Sequence, residues 1–320
     1  MKTAVNIIRA HSYERTALRH SLETLLQPLG GIGAIVKSGD RVLLKPNLIV
    51  AGRPNQAIAT HPDLVYCVAQ MVQEAGGQPF LGDSPAMGSV QSVAKANGLL
   101  SIAQELQIPI IEFYGQHYSS IGDSFDRLWI SKEAMGADVV INLPKVKSHQ
   151  QLTLTLGVKN LFGCVPGKVK VRWHWLIGKD PNRFGEMLVE TARLLAPELT
   201  ILDGIIAHQG NGPTRGEPRF LGLLAATSNV FALDRAFAEI LNVDPLTVPT
   251  IAASLRLGLC PKLEAIDFPT LKPEDCQVED WQLAVRSVPI YFNLPRIILS
   301  TLKDWSIRRI QEPVSSYLER

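Results

Sequence analysis

A run of cationic side chains between Val140 and His174 is the feature of this sequence most suited to chemistry. No Asp or Glu occurs between Asp138 and Asp180, while this run contains Lys145, Lys147, His149, Lys159, Lys168, Lys170, Arg172 and His174. Lysines on a solvated helix face usually alternate with glutamate, whereas these alternate with proline, glycine, asparagine and β-branched residues, as in a binding loop. The pattern predicts an anion site, and a plain solvated lysine face is the alternative.

Two predicted strands end at lysines. Residues 138–143 read as a buried strand that runs into a loop at Pro144, so the loop begins with Lys145. A second apolar strand starts after Gly39-Asp40 and stops near Lys45 because Pro46 cannot donate to a ladder, which leaves Asn47 just beyond it. Ligands of open α/β sheets bind at the carboxyl ends of strands, so we expect both lysines in one crevice there.

Three further polar positions lie near predicted element ends. Thr60 is expected to cap a helix, with His61 beside the cap, where a helix N-terminus favours anions. Asp83 follows a short strand in Gly-Asp-Ser-Pro, which is either turn chemistry or a base or metal ligand. Asp203 follows a strand predicted over residues 199–202.

The order of predicted elements indicates the fold class. Strands and amphipathic helices alternate along the chain, as in helices over residues 13–26, 64–74 and 184–195. This predicts an α/β protein with a mostly parallel central sheet, helices on both faces and a ligand crevice at the strand carboxyl ends. We expect one domain over residues 1–290 and a basic amphipathic helix over residues 291–320, which packs on the domain or lies on a membrane or partner.

Three segments remain ambiguous. Residues 152–161, with Lys159 and Asn160, fit either a helix or a loop that lines the site. The Gly- and Pro-rich residues 207–218 match no nucleotide-binding motif. Asp234 lies in an alanine-rich helix, and we expect it to pair with Arg235 or another neighbour rather than to point at the site.

Composition limits the function classes. The 320 residues are 46% hydrophobic with a net charge of +2, typical of a soluble globular protein without a general drive toward nucleic acid. RNA binding through Trp173 and Trp175 is therefore the least favoured use of the basic run. The four cysteines are scattered, which predicts reduced thiols. No signal-peptide core or membrane-spanning run is visible, so we expect a cytoplasmic protein.

Several short motifs occur together in a recognisable order. They are Leu44-Lys-Pro-Asn, Thr60-His-Pro, Gly82-Asp-Ser-Pro, Ile141-Asn-Leu-Pro-Lys-Val-Lys-Ser-His, Gly157-Val-Lys-Asn-Leu-Phe-Gly and Leu202-Asp-Gly-Ile. From about residue 40 to about residue 245 the chain resembles the family named domain of unknown function 362. Members often carry a ferredoxin-like segment with clustered cysteines, which this chain lacks, so no iron-sulfur cluster is expected in it.

The resemblance and the strand-end argument select many of the same residues. We expect an enzyme that binds a small anionic metabolite, with a phosphate or carboxylate group, through six side chains: Lys45, Asn47, His61, Lys147, Lys159 and Asn160. His149, Lys145 and Asp83 are the candidate catalytic residues, and Asp203 is the candidate ligand of a divalent metal. The alternative is a non-catalytic binding or assembly factor that docks an acidic or ferredoxin-like iron-sulfur partner.

Overall fold

Short apolar runs that end at proline, glycine or a polar residue form the central sheet. The structure is a computed structural model that describes residues 3–122, 124–285, 288, 302 and 306. Its strands are β1 (Thr3–Ala4), β2 (Asn6–Arg9), β3 (Arg41–Pro46), β4 (Gln78–Gly82), β5 (Ile110–Ile111), β6 (Gly115–Ser119), β7 (Arg127–Ser131), β8 (Val139–Leu143), β9 (Lys145–His149), β10 (Thr153–Thr155), β11 (Leu199–Gln209), β12 (Glu217–Thr227) and β13 (Ile266–Asp267).

Nine of these strands form one sheet in the described residues. The order is β10-β9-β11-β8-β3-β4-β5, and β12 pairs with β11 and β2. Strands β3, β4, β5 and β8 pair in parallel, as does β11 with both β8 and β9. The pairings of β10 with β9, β11 with β12 and β12 with β2 are antiparallel. The prediction of a mostly parallel central sheet is confirmed.

Helices cover both faces of this sheet. Adjacent strand residues point to opposite faces, so Leu44 packs among residues of the first two helices while Leu43 joins the opposite apolar cluster. The predicted two-faced α/β arrangement is confirmed. The helices are α1 (Arg15–Leu26), α2 (Pro62–Glu74), α3 (Val90–Ala96), α4 (Leu99–Glu105), α5 (Lys132–Met135), α6 (Gly157–Leu161), α7 (Gly167–Ile177), α8 (Pro181–Leu195), α9 (Val230–Ile240) and α10 (Pro249–Arg256).

The basic segment differs from its predicted form. Pro144 interrupts the chain for one residue instead of starting a loop, and β9 follows β8 along the same side of β11. The first lysines therefore lie on a buried strand and not in a loop. The ambiguous residues 152–161 form β10 and then α6, which begins at Gly157.

Two other expectations on element ends were wrong. The N-cap of α2 is His61, whose side chain accepts a hydrogen bond from the Asp63 N–H, whereas the Thr60 hydroxyl donates to the Leu143 carbonyl. Strand β11 continues to Gln209, so Asp203 lies within it because β9 and β12 extend the ladder on either side.

The termini of the chain bear on two further predictions. The basic amphipathic helix expected over residues 291–320 lies outside the described residues, apart from residues 302 and 306. The single domain over residues 1–290 stays a prediction. In the described part of the chain, no helix is long and apolar enough to cross a bilayer.

Candidate functional site

The carboxyl ends of neighbouring strands bring the predicted site residues together. Strand β3 ends at Lys45 and Pro46, and Asp83 follows β4, its parallel neighbour. The Lys45 ammonium nitrogen lies 3.1 Å from Asp83 Oδ1, and both side chains are buried. Adjacent parallel strands thus place a lysine and a carboxylate from distant sequence positions in one ion pair.

Strand β9 carries three of the candidates on one face. Lys145, Lys147 and His149 are spaced by two residues, and side chains two apart in a strand point to the same side. All three are buried, with exposed fractions of 1%, 0% and 7%. These side chains therefore face the interior of the protein.

Lys145 lies in a polar network with Tyr13 and Asp203. Its ammonium group donates to Asp203 Oδ2 and to the Tyr13 hydroxyl, both at 2.9 Å, and that hydroxyl donates to Asp203 Oδ1 at 2.5 Å. Burial lowers the pKa of Lys145, with the Asp203 charge opposing that change. Burial and the same carboxylate raise the pKa of the Tyr13 hydroxyl.

His61 completes this network from the start of α2. Its backbone N–H donates to Asp203 Oδ2 at 2.9 Å, and its ring stacks on the Tyr13 ring with centroids 3.7 Å apart. Burial lowers the pKa of the His61 imidazole. Asp203 therefore has both oxygens engaged by protein donors. Among the described residues, no three His, Cys, Asp or Glu side chains converge as metal ligands, and metal binding by Asp203 stays a prediction.

Amide side chains fix the middle of the site. Asn47 donates to Asn160 Oδ1 at 2.8 Å, and Asn160 donates to Asn142 Oδ1 at 2.8 Å. The Lys147 ammonium group donates to Asn47 Oδ1 and to the Ile58 carbonyl, both at 2.7 Å. Burial and then the charge of another lysine hold the pKa of Lys147 well below its ordinary value. Both acceptors are uncharged, so neither offsets a positive charge on Lys147.

Lys45, Lys145, Lys147, Lys159 and Lys170, with Asp83 and Asp203, form the lysine cluster. Lys159 and Lys170 are its more accessible cations. Both are partly exposed, and their ammonium nitrogens lie 4.7 and 5.8 Å from the centre of the Phe162 ring. Burial and then the Lys170 charge lower the pKa of Lys159 to about 7. Burial lowers the pKa of Lys170 to about 8, with Asp83 opposing and Lys45 reinforcing the change. The Lys170 ammonium group also donates to the Ser84 carbonyl.

Asp83 serves the cluster as a fixed acceptor. Besides Lys45, it accepts hydrogen bonds from the backbone N–H groups of Leu48 at 2.8 Å and Ser84 at 2.7 Å. A β-carbon at Gly163 would collide with the Asp83 carboxylate and the Lys45 ammonium group. Glycine is therefore required where the chain crosses this ion pair.

His149 is a neutral imidazole beside the lysines. Its Nδ1 accepts a hydrogen bond from the Gln151 N–H at 3.0 Å, which leaves the ring proton on Nε2. Burial, followed by the charges of Lys159 and Lys147, holds the pKa of His149 well below its ordinary value. The imidazole is thus close enough to Lys159 for the two groups to interact electrostatically.

Asp234 has a structural partner that the sequence did not reveal. Its carboxylate accepts hydrogen bonds from the N–H groups of Gly157 at 2.7 Å and Val158 at 3.1 Å, while Arg235 pairs with Glu239 at 3.1 Å. Of the two predicted kinds of partner, Arg235 was wrong, and the neighbours that engage Asp234 are backbone N–H groups. Burial raises the pKa of Asp234 to about 7. This buried carboxyl caps α6, the helix that carries Lys159.

The structure adds four residues to the predicted set. They are Tyr13, Asn142, Gly163 and Lys170. The alternation in Lys-Val-Lys-Ser-His was a signal for a strand with one polar face, and Lys170 lay within the basic run. Two shallow surface depressions, one beside Leu100 and one beside Leu26, contain none of the candidate residues. The four cysteines are unpaired and buried.

Comparisons with known proteins agree with the motif pattern. The model of the family described as "Domain of unknown function (DUF362)" matches residues 42–239. The chain is 57% identical over 317 residues to the thylakoid-associated protein sll1697 of Synechocystis sp. (strain ATCC 27184 / PCC 6803 / Kazusa), covering 99% of each.

A solved structure gives a weaker match. It is the lactate racemase apoprotein from Thermoanaerobacterium thermosaccharolyticum, at 13% identity and a TM-score of 0.45, covering 72% of this chain and 55% of that one. The family match spans more than half of the 320 residues, and the 57% identical relative matches along nearly its whole length. The chain therefore belongs to the family of domain of unknown function 362.

Proposed function

We propose that this protein is an enzyme that binds a small metabolite with a phosphate or carboxylate group among the clustered lysines. The charge balance of the cluster carries the proposal. Two buried carboxylates, Asp83 and Asp203, face five ammonium groups, those of Lys45, Lys145, Lys147, Lys159 and Lys170. An anion would supply the charge that the described carboxylates do not.

Electrostatics favour this occupant. Removing a cation from water is costly unless a negative charge or good acceptors compensate, and the lowered pKa values of Lys159 and Lys170 express that cost. A bound anion would raise both pKa values and restore the charged forms. Because these two side chains are partly exposed, they are the ones that a ligand from solvent can reach first.

The buried residues suggest separate roles. Asn47, Asn160 and Lys147 form a fixed hydrogen-bonded floor, which limits reorganisation on binding. His149, with a proton on Nε2, and Lys145, linked to Tyr13, are the groups proposed to transfer protons. Asp83 is engaged by Lys45 and two N–H groups, so we assign it to positioning Lys45.

Burial also argues against the docking alternative. The side chains of Lys45, Lys145 and Lys147 have exposed fractions of 0% to 1%, so the surface of an acidic or ferredoxin-like partner could not contact them without rearrangement. A small ligand needs only the partly exposed side chains of Lys159 and Lys170 for its first contact. The basic cluster therefore fits a metabolite better than a protein surface.

Thermal unfolding with small anions tests the proposal. Inorganic phosphate and simple carboxylates are added to the native chain and to two variants, Lys159→Met and Lys95→Met, the second at an exposed position on α3. At a ligand concentration about 100 times its Kd, binding adds about 2.7 kcal/mol to the free energy of unfolding. We expect Tm to rise in the native chain and in Lys95→Met but not in Lys159→Met. An equal rise in both variants, or no rise with any anion, would refute the site.

A second proposal concerns location. The 57% identical relative is named for association with the thylakoid, and we propose that this chain also associates with that membrane, from its surface. Helix α7 offers a suitable face, because Arg172 is exposed and Trp175 and Leu176 have exposed fractions of 45% and 48%. Exposed tryptophan and leucine beside basic residues are typical of interfacial helices. A protein bound to the cytoplasmic surface of the thylakoid membrane would also agree with the cytoplasmic location expected from the sequence.

A further inference from the structure

Lys159 differs from the other lysines of the cluster in what surrounds its nitrogen. Its ammonium nitrogen lies 4.7 Å from the centre of the Phe162 ring, and no carboxylate of the described residues forms an ion pair with it. Lys45 and Lys145, in contrast, each pair with an aspartate. The Lys159 side chain is partly exposed, so a small molecule can approach it.

The helix that carries this lysine is held firmly. Asp234 caps the first N–H groups of α6. Asn160, the residue after Lys159, donates to the Lys45 carbonyl at 3.0 Å and to Asn142. Lys170 approaches the same aromatic ring from α7. The amine is thus presented from a fixed helix beside a second cation, an arrangement known to activate a lysine as a nucleophile.

The protonation state of the amine suits this chemistry. With a pKa of about 7, lowered by burial and by Lys170, about half of the Lys159 side chains are uncharged at neutral pH. An ordinary lysine has less than about one uncharged amine in a thousand at that pH. Only the uncharged form has the lone pair that attacks a carbonyl carbon.

We propose that Lys159 forms an imine with the carbonyl group of an aldehyde or ketone that also carries a phosphate or carboxylate. The inference rests on the proposed function, because the anionic group brings the substrate to the cluster and Lys170 binds it there. Lys159 Nζ attacks the carbonyl carbon to give a carbinolamine. The former carbonyl oxygen takes up protons and leaves as water, and a C=N bond replaces the C=O bond. Lys159 Nζ loses two protons in the same steps, and we assign their transfer to the imidazole of His149, which interacts electrostatically with Lys159.

Reductive trapping tests the imine directly. The native chain is incubated with pyridoxal 5′-phosphate, which carries both an aldehyde and a phosphate, and is then treated with borohydride. Hydride adds to the imine carbon and fixes the adduct as a secondary amine, which peptide mass spectrometry locates. We expect labelling at Lys159 to be at least about tenfold faster than at exposed Lys95 at neutral pH. Labelling of Lys159 no faster than that of Lys95 would overturn the proposal.

Pyridoxal without the phosphate is the matched control for the anionic group. It should label Lys159 more slowly than the phosphorylated probe does, while Lys95 should react similarly with both. Equal rates of labelling of Lys159 by the two probes would show that the phosphate group is not recognised, and would contradict that part of the proposal. A labelling maximum at Lys170 would reassign the nucleophile and would likewise contradict the proposal.

Two variants separate the imine from anion binding. Lys159→Arg keeps the positive charge but cannot form an imine, so we expect it to retain the phosphate-induced rise in Tm and to lose the adduct. Lys170→Met removes the neighbouring charge, so pyridoxal should label Lys159 more slowly near neutral pH but equally fast at about pH 10. A phosphate-induced rise in Tm without an adduct at Lys159 would refute the imine alone. If the native chain shows neither a phosphate-induced rise in Tm nor an adduct at Lys159, the proposed function is refuted as well.

Discussion

At the scale of single residues, burial determines how this site responds to pH. Lys159 has a pKa of about 7 and Lys170 a pKa of about 8 in the folded chain, against 10.5 for an ordinary lysine. Between about pH 7 and about pH 10, these two lysines bind more protons in the unfolded chain than in the folded chain. The free energy of unfolding therefore rises with pH from about 7 to about 10 because of these two groups, and below about pH 7 both charges destabilise the fold.

This linkage predicts the behaviour of a double variant. Replacing both Lys159 and Lys170 with methionine should flatten the rise in the free energy of unfolding between about pH 7 and about pH 10. Urea unfolding at several pH values measures the slope, and Lys95→Met is the exposed control. The same slope in the native chain and in the double variant would show that neither lysine is perturbed.

The sequence predicted many of these residues but not their contacts. Lys45, Asn47, Lys145, Lys147 and Asn160 could be grouped because each lies in one of the short motifs of the family pattern, and Lys45, Asn47 and Lys145 also lie at predicted strand ends. Tyr13 could not, since its hydrogen bond to Asp203 joins positions 190 residues apart, and no local pattern marks it. The acceptor role of Asp234 depends on how α9 meets α6, which no local motif encodes.

At the scale of elements, Pro144 and Gly157 decide where the cluster forms. Because Pro144 separates β8 from β9 without ending the ladder, Lys145, Lys147 and His149 fall on one strand face beside β11. A proline after an apolar run usually indicates a loop. That expectation failed because the residues after Pro144 pair in parallel with β11 and so form β9. The carboxyl of Asp234 then fixes the start of α6 at Gly157.

Helix α7 is the element from which we expect a membrane contact. The full chain is sedimented with vesicles of equal parts phosphatidylglycerol and phosphatidylcholine. Replacing Trp175 and Leu176 with serine should reduce sedimentation about tenfold, since apolar side chains supply most of the interfacial binding. Leu246→Ser, at a position 67% exposed elsewhere on the surface, is the control.

The C-terminal segment supplies the competing explanation for membrane binding. If serine at Leu302 and Trp305 abolishes sedimentation while the α7 variant sediments like the native chain, the α7 assignment is wrong. If none of the chains sediments, the membrane proposal itself is wrong.

At the scale of the whole molecule, the fold concentrates positive charge that the composition hides. The net charge is only +2, yet five lysines and two aspartates lie together at the carboxyl ends of the parallel strands. The alternation of strands and helices was enough to predict this location, because the carboxyl ends of parallel strands lie at the same end of a sheet. The position of β10 and the continuation of β11 through Asp203 depend on tertiary pairing, so the sequence could not define them.

Proton uptake on anion binding is the most direct test of the central claim. Inorganic phosphate is titrated into the native chain at about pH 8 by calorimetry, in two buffers with different ionisation heats. A bound anion raises the pKa values of Lys159 and Lys170, so we predict binding with net proton uptake in the native chain and in Lys95→Met, and no binding heat in Lys159→Met. Binding without proton uptake, or no binding of phosphate or of any simple carboxylate, would contradict the account.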